Sequence, residues 1–169
     1  MFWAALLLVW AFGSASHFFY QWSGKKRVVG LFFASNESVW EHGKLGFWPL
    51  CAALLWQGLR TGAGWAAICC AIACATLLCA VHTAGIFYAY TGALGVWSVL
   101  WADIALFLFS SALGLHMGWR LLGRPCPVWL GAAAAAAVAG EIFCLLWFTR
   151  RPPRLPLFTD YSQGGPPRR

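Results

Sequence analysis

Apolar residues run along this chain in long unbroken stretches, not in the one-sided stripe of a surface helix. Runs of about 20 apolar residues are long enough to cross a bilayer as helices. Five are legible: roughly Phe2–Trp22, Leu45–Leu59, Gly64–Tyr88, Val96–Trp119 and Val128–Phe148. The second is short, and it reaches spanning length only if its helix begins near Glu37. The links are too brief for a soluble domain. The pattern predicts an all-α polytopic membrane protein, a compact bundle of five transmembrane helices over residues 1–149, followed by a basic, proline-rich cytoplasmic tail over 150–169. Pro152 and Pro153 end the last helix. The apolar Leu155–Phe158 would fold back on the bundle and bring Asp160 to its mouth; a solvated tail at the lipid surface is the alternative. The run Ala132–Gly140 reads as a close-packing helix face, because small residues let backbones approach.

Composition supports the membrane reading: 61% of the 169 residues are hydrophobic and 10% charged, against about 25% charged in soluble domains. The cations orient the bundle. Arg60, Arg120 and Arg124 fall on one side; Lys25, Lys26, Arg27, Lys44, Arg150, Arg151, Arg154, Arg168 and Arg169 fall on the other. The richer side is expected to be cytoplasmic, with the N-terminus outside and the C-terminus inside a bacterial cytoplasmic membrane. Of the tryptophans, only Trp10 falls near mid-membrane; the others sit at the two faces, where indole is favoured. The first run has its cations after it, the reverse of a cleaved signal peptide, so a retained anchor is expected. Cations that flank spans argue against nucleic acid as a partner; the lipid bilayer is the expected one, with a membrane-protein partner or a homo-oligomer to complete so small a bundle. None of the seven cysteines forms a C-x-x-C pair, and no disulfide framework is implied. Cys70 and Cys74, one turn apart, would allow a soft metal contact, but small apolar packing is the commoner role.

Ionisable groups at membrane depth are costly, so they need a reason. His17, Glu37, Glu41, His42, His82, Asp103 and Glu141 all map to the inner half of the predicted bundle at 1.5 Å per residue; only His116 maps to the outer half. Glu37 and Glu41 share a helix face, His42 is about 100° round from it, and Lys44 is i+3 from Glu41. Each has an ordinary alternative. Ser38 and Glu41 fit a capping box, Glu37 suits a helix N-terminus, and Lys44 suits a snorkelling interface lysine. His17 suits an interfacial histidine, and Glu141 with His82 a structural pair. Asp103 is placed about two turns into its span. Carboxylates and imidazoles together can hold a divalent metal; Glu41, His42, His17 and Asp103 are the candidate ligands, though neither H-E-x-x-H nor E-x-x-H occurs. G-x-S-x-G, P-loop and G-x-G-x-x-G motifs are absent as well.

The segments HFFYQWSG (17–24), NESVWEHGKL (36–45), DIALF (103–107) and FTRRPPRLPLFTD (148–160) together resemble a family of small bacterial membrane proteins of unknown function. The resemblance implies that Asn36, Glu37, Trp40, Glu41, His42, Lys44, Asp103 and Asp160 sit at the family's motif positions. It implies no activity, and the ending SQGGPPRR departs from the family's usual one. Three readings stay open. The first is an inward-facing polar site, lined by Asn36, Glu37, Glu41, His42, His82, Asp103, Glu141 and Asp160, that binds a cation or small polar ligand for transport or sensing. The second is a metal-dependent membrane enzyme acting on a lipid or amphipathic substrate. The third is an accessory subunit whose polar groups only tie helices together.

Overall fold

The computed structural model describes residues 1–160. Among them are six α-helices, α1 (Phe2–Trp22), α2 (Arg27–Phe32), α3 (Val39–Thr61), α4 (Trp65–Leu94), α5 (Leu100–Leu122) and α6 (Val128–Arg150), then a short 3-10 turn at Pro156–Phe158. No strand occurs among the described residues. Four helices, α1, α4, α5 and α6, are long and apolar enough to cross a membrane. They are four of the five expected spans; the fifth expected one falls on α3. α3 has the length, at 23 residues, but it carries Glu41 and Lys44 in its first two turns.

The elements follow local chemistry. Ser38 starts α3: its hydroxyl accepts a hydrogen bond from the Glu41 N–H at 3.2 Å. α4 runs to Leu94, six residues past the predicted end, and stops where Gly95 takes a left-handed φ of +67°. α5 therefore starts at Leu100, not Val96, which moves Asp103 into its first turn. The six-residue α2 was not expected; between Lys26 and Phe33 the run is too short to give a periodic signal.

α4 is the hub, packing against α3, α5 and α6, while α1 packs on α3 and α5. The core joins Leu50 and Leu54 of α3, Ile68, Ala71 and Ala75 of α4, and Leu115 of α5. Close approach is set by Gly114-x-x-x-Gly118 on α5. A Cβ at Gly114 would lie 2.5 Å from the Ala75 carbonyl oxygen, and one at Gly118 2.9 Å from that of Ala71. The alanine run of α6, expected to be a packing face, is mostly exposed; only Gly131 and Ala134 are buried there. Gly140 has open space beside it, so no helix packs closely at that glycine. α6 offers the bundle one narrow stripe, and a run of identical small residues goes round the whole helix. Large apolar side chains such as Leu8, Trp56, Val81, Phe109 and Phe143 are exposed on the outer surface, which is compatible with a lipid-facing bundle. Trp10, the indole expected at mid-membrane, has its N–H within hydrogen-bond distance of the Leu108 carbonyl (3.1 Å) and the Ser111 hydroxyl (3.2 Å).

Candidate functional site

Several of the expected residues meet at one end of the bundle, and they sort into two neighbouring clusters with different chemistry. α3 divides them, because residues 41 and 42 point about 100° apart.

The inner cluster is a closed network. Glu41 Oε2 accepts from the Ser35 N–H (2.9 Å), the Ser35 hydroxyl (2.8 Å) and Lys44 Nζ (2.8 Å). Glu41 Oε1 accepts from the Thr149 hydroxyl at 2.9 Å, a proton that the Leu145 carbonyl also attracts at 2.7 Å. Lys44 Nζ also donates to the Gly30 carbonyl (2.9 Å) and to Thr149 Oγ1 (2.6 Å), so all three of its N–H groups have acceptors. Both side chains are buried. Lys44 is therefore no snorkelling residue, which corrects the expectation; its charge is used inside the protein. Glu41 also does not complete a capping box. The Ser38 N–H is taken instead by Asn36 Oδ1 at 2.9 Å, an Asx turn. Buried and with both carboxylate oxygens engaged, Glu41 does not join the set of metal-sized ligand atoms among the described residues.

The outer cluster faces solvent. Glu37 stands between two histidines: His17 Nε2 lies 3.4 Å from Oε1, and His42 Nε2 lies 3.4 Å from Oε2. The imidazole centroids are 5.1 Å apart. His42 Nδ1 is 2.9 Å from the Ser38 carbonyl oxygen. A carbonyl only accepts, so Nδ1 carries hydrogen, and the neutral ring turns its Nε2 lone pair toward Glu37. Lone pair and carboxylate then repel unless a proton or a metal ion lies between them. His17 has no such orienting bond; its Nδ1 is buried without a hydrogen-bond partner among the described residues. When His42 carries a proton on Nε2 as well, the hydrogen bond it then donates holds Glu37 below the usual carboxylate range, so Glu37 stays charged. Ligand atoms from His17, Glu37 and His42 lie within 4.8 Å of one another, the one such set among the described residues.

His17 and Glu37 border an open cleft of about 320 Å³, whose walls also include Lys25, Asn36 and Asp160; His42 stands behind them and does not line it. The chain beyond α6 crosses the same end: Phe158 packs on Trp40 (5.0 Å between centroids) and on Phe148 (5.5 Å), which carries Asp160 to the cleft. The residues from Tyr161 onward, with Arg168 and Arg169, lie outside the described residues.

The remaining expected residues stand apart. Asp103 accepts a hydrogen bond from the Tyr90 hydroxyl across the α4–α5 turn; it is close enough to His42 for Coulombic attraction but does not join the set of three. His82 Nδ1 is 2.8 Å from the Ser110 hydroxyl, and Glu141 lies beside Thr76, so the expected Glu141–His82 pair does not form. Both are deeper in the bundle than the cleft. One Glu141 carboxylate oxygen is buried without a hydrogen-bond partner among the described residues. Sequence reasoning missed Ser35, Thr149 and Tyr90. Thr149 carried a signal, a hydroxyl at the end of the last apolar run beside Arg150; Ser35 and Tyr90 carried none.

The model of the family of unknown function DUF6512 matches residues 2–165. The chain belongs to that family. No curated protein and no solved structure matches it, so a functional reading rests on the residues and their geometry.

Proposed function

We propose that this DUF6512 protein is a five-span membrane protein that binds a divalent metal ion of the zinc class at its cytoplasmic mouth through His17, Glu37 and His42. The observation that carries this is the pair of 3.4 Å Nε2–oxygen separations around Glu37, with His42 Nδ1 committed to a backbone carbonyl. Zinc–ligand bonds of about 2.0–2.1 Å at tetrahedral angles put neighbouring ligand atoms about 3.3 Å apart; each imidazole keeps that distance from its own Glu37 oxygen, and the set of three, spread over as much as 4.8 Å, would tighten on binding. Charge-assisted hydrogen bonds between the same atoms would close to about 2.8 Å. Three protein ligands leave a fourth position for water or a substrate group, the pattern of a reactive site and not of a closed structural one. That position opens on the cleft, where Lys25, Asn36 and Asp160 give polar contacts for a small ligand. Glu41 and Lys44 are the scaffold of this mouth; through Ser35 they hold the segment that carries Asn36 and Glu37.

The fifth span in this reading is α3. Its 23 residues rise about 34 Å, and its two inner charges neutralise each other inside the protein. The N-terminus lies outside and residue 150 inside; without Lys44, which is buried, the cations still favour that side. The test is titration of metal-free purified protein in detergent with zinc against a fluorescent competitor. Wild type and Asp103→Asn are expected to bind one ion, His42→Ala and Glu37→Gln none at the same concentration, and His17→Ala one more weakly, since its ring is less firmly oriented. Equal binding by wild type and His42→Ala overturns the assignment.

A further inference from the structure

The opposite end of the bundle carries a second chemical feature. Cys70, in the second turn of α4, and Cys126, in the link before α6, have their sulfurs 2.8 Å apart. They come from segments 56 positions apart in the chain. Pro125 and Pro127 stiffen the link on both sides of Cys126. Gly131 then seats α6 against α4 so closely that a Cβ there would be 2.5 Å from the Ala66 Cα. The two sulfurs are thus held in register by backbone contacts, and both residues are partly exposed, within reach of a reagent. No third ligand joins them to make a metal-sized set among the described residues.

We propose that Cys70 and Cys126 are joined by a disulfide in the membrane, tying the α5–α6 link to the outer end of α4. This rests on the orientation proposed above, which puts that end on the oxidising side of the membrane, and it is independent of the metal site. The chemistry needs an oxidant, and a disulfide-bearing oxidoreductase or small disulfide is the class that fits. One cysteine thiolate attacks the donor disulfide, forming a mixed disulfide and releasing one donor thiol. The other cysteine thiolate then attacks the mixed bond and releases the second donor thiol. Two protein thiols are oxidised and one donor disulfide is reduced, and the two protons lost by the protein thiols end on the two released donor sulfurs.

The test uses the full chain in its native membrane. Cells are quenched in acid, the protein is denatured in detergent, and free thiols are counted by gel shift with a polyethylene-glycol maleimide, with and without prior reduction. Wild type is expected to take up two more labels after reduction than before. Cys70→Ser and Cys126→Ser are each expected to gain none, and a cross-linked peptide pair containing both cysteines is expected in the unreduced wild type. Equal labelling before and after reduction overturns the proposal. Purified protein treated with oxidised glutathione then locates the fault: no link there means the geometry is wrong, and a link formed only there means that this end faces a reducing compartment.

Discussion

Lys44→Met is the perturbation that tests the scaffold of the mouth most sharply. Methionine fills much of the lysine volume without the charge. It leaves the Glu41 carboxylate buried, still facing Ser35 and Thr149 but without its counter-ion. Removing one partner of a buried ion pair costs about 3–5 kcal/mol, because the other charge stays uncompensated. Glu41→Gln leaves the ammonium without its counter-ion in the same way, with only neutral oxygens, among them those of Gly30 and Thr149, to accept from it. For a chain of this size, 1 kcal/mol corresponds to a Tm shift of about 2–4 °C, so each single change is expected to lower Tm by roughly 10 °C. The double variant Lys44→Met with Glu41→Leu removes both charges and fills the space. It is expected to recover most of the loss, since a buried pair replaced by apolar groups is often neutral. The assay is thermal unfolding of the purified protein in one detergent, followed by tryptophan fluorescence, with the four forms arranged as a double-mutant cycle. Single variants within about 1 kcal/mol of wild type, or additive losses in the double, would refute a dehydrated and mutually dependent pair.

Other predictions follow from the packing and from the cleft. Gly114→Ala drives a methyl into the Ala75 carbonyl and is expected to cost about 1–3 kcal/mol by overpacking; Gly140→Ala, which meets open space, is expected to leave Tm unchanged or raise it in the same unfolding assay. Trp10→Phe removes the indole N–H from Leu108 and Ser111 and is expected to cost about 1 kcal/mol. Zinc affinity, measured by competition at several pH values, is expected to fall as pH drops through the ordinary imidazole range of about 6.5, where protons compete for the two rings. Glu37 is not limiting there: its depressed folded-state pKa means that its contribution to stability is present above the ordinary glutamate range and is lost only as pH falls through the lower folded value. Affinity unchanged between neutral pH and pH values well below that range would rule out imidazole ligands.

Most of the helical layout was legible in the sequence. The bilayer fixes how long an apolar run must be, and α1 and α6 begin where their runs begin. α3 was legible only from its apolar half, because its first turns serve the mouth and carry the residues that lipid would exclude. α2 was invisible, since six residues carry no period. The candidate residues were found by type and depth, but their grouping was not. The 100° between Glu41 and His42 was readable. Which side each would face was not, because that depends on partners far away in sequence, Thr149 for Glu41 and His17 for Glu37. Lys44 misled for the same reason: a lysine near a helix start reads as interfacial until Gly30 and Thr149 are known to close over it. Asp103 shifted outward because Gly95 ends α4 late, which only the folded turn reveals.

The central claim is that two imidazoles and one carboxylate of the mouth ligate a metal. X-ray absorption at the zinc edge of the loaded protein reads this directly. The expected result is a shell of nitrogen and oxygen at about 2.0–2.1 Å, with the multiple-scattering pattern of two imidazoles, reduced to one in His42→Ala. Sulfur neighbours at about 2.3 Å, or a shell of oxygen alone that His42→Ala leaves unchanged, would contradict it.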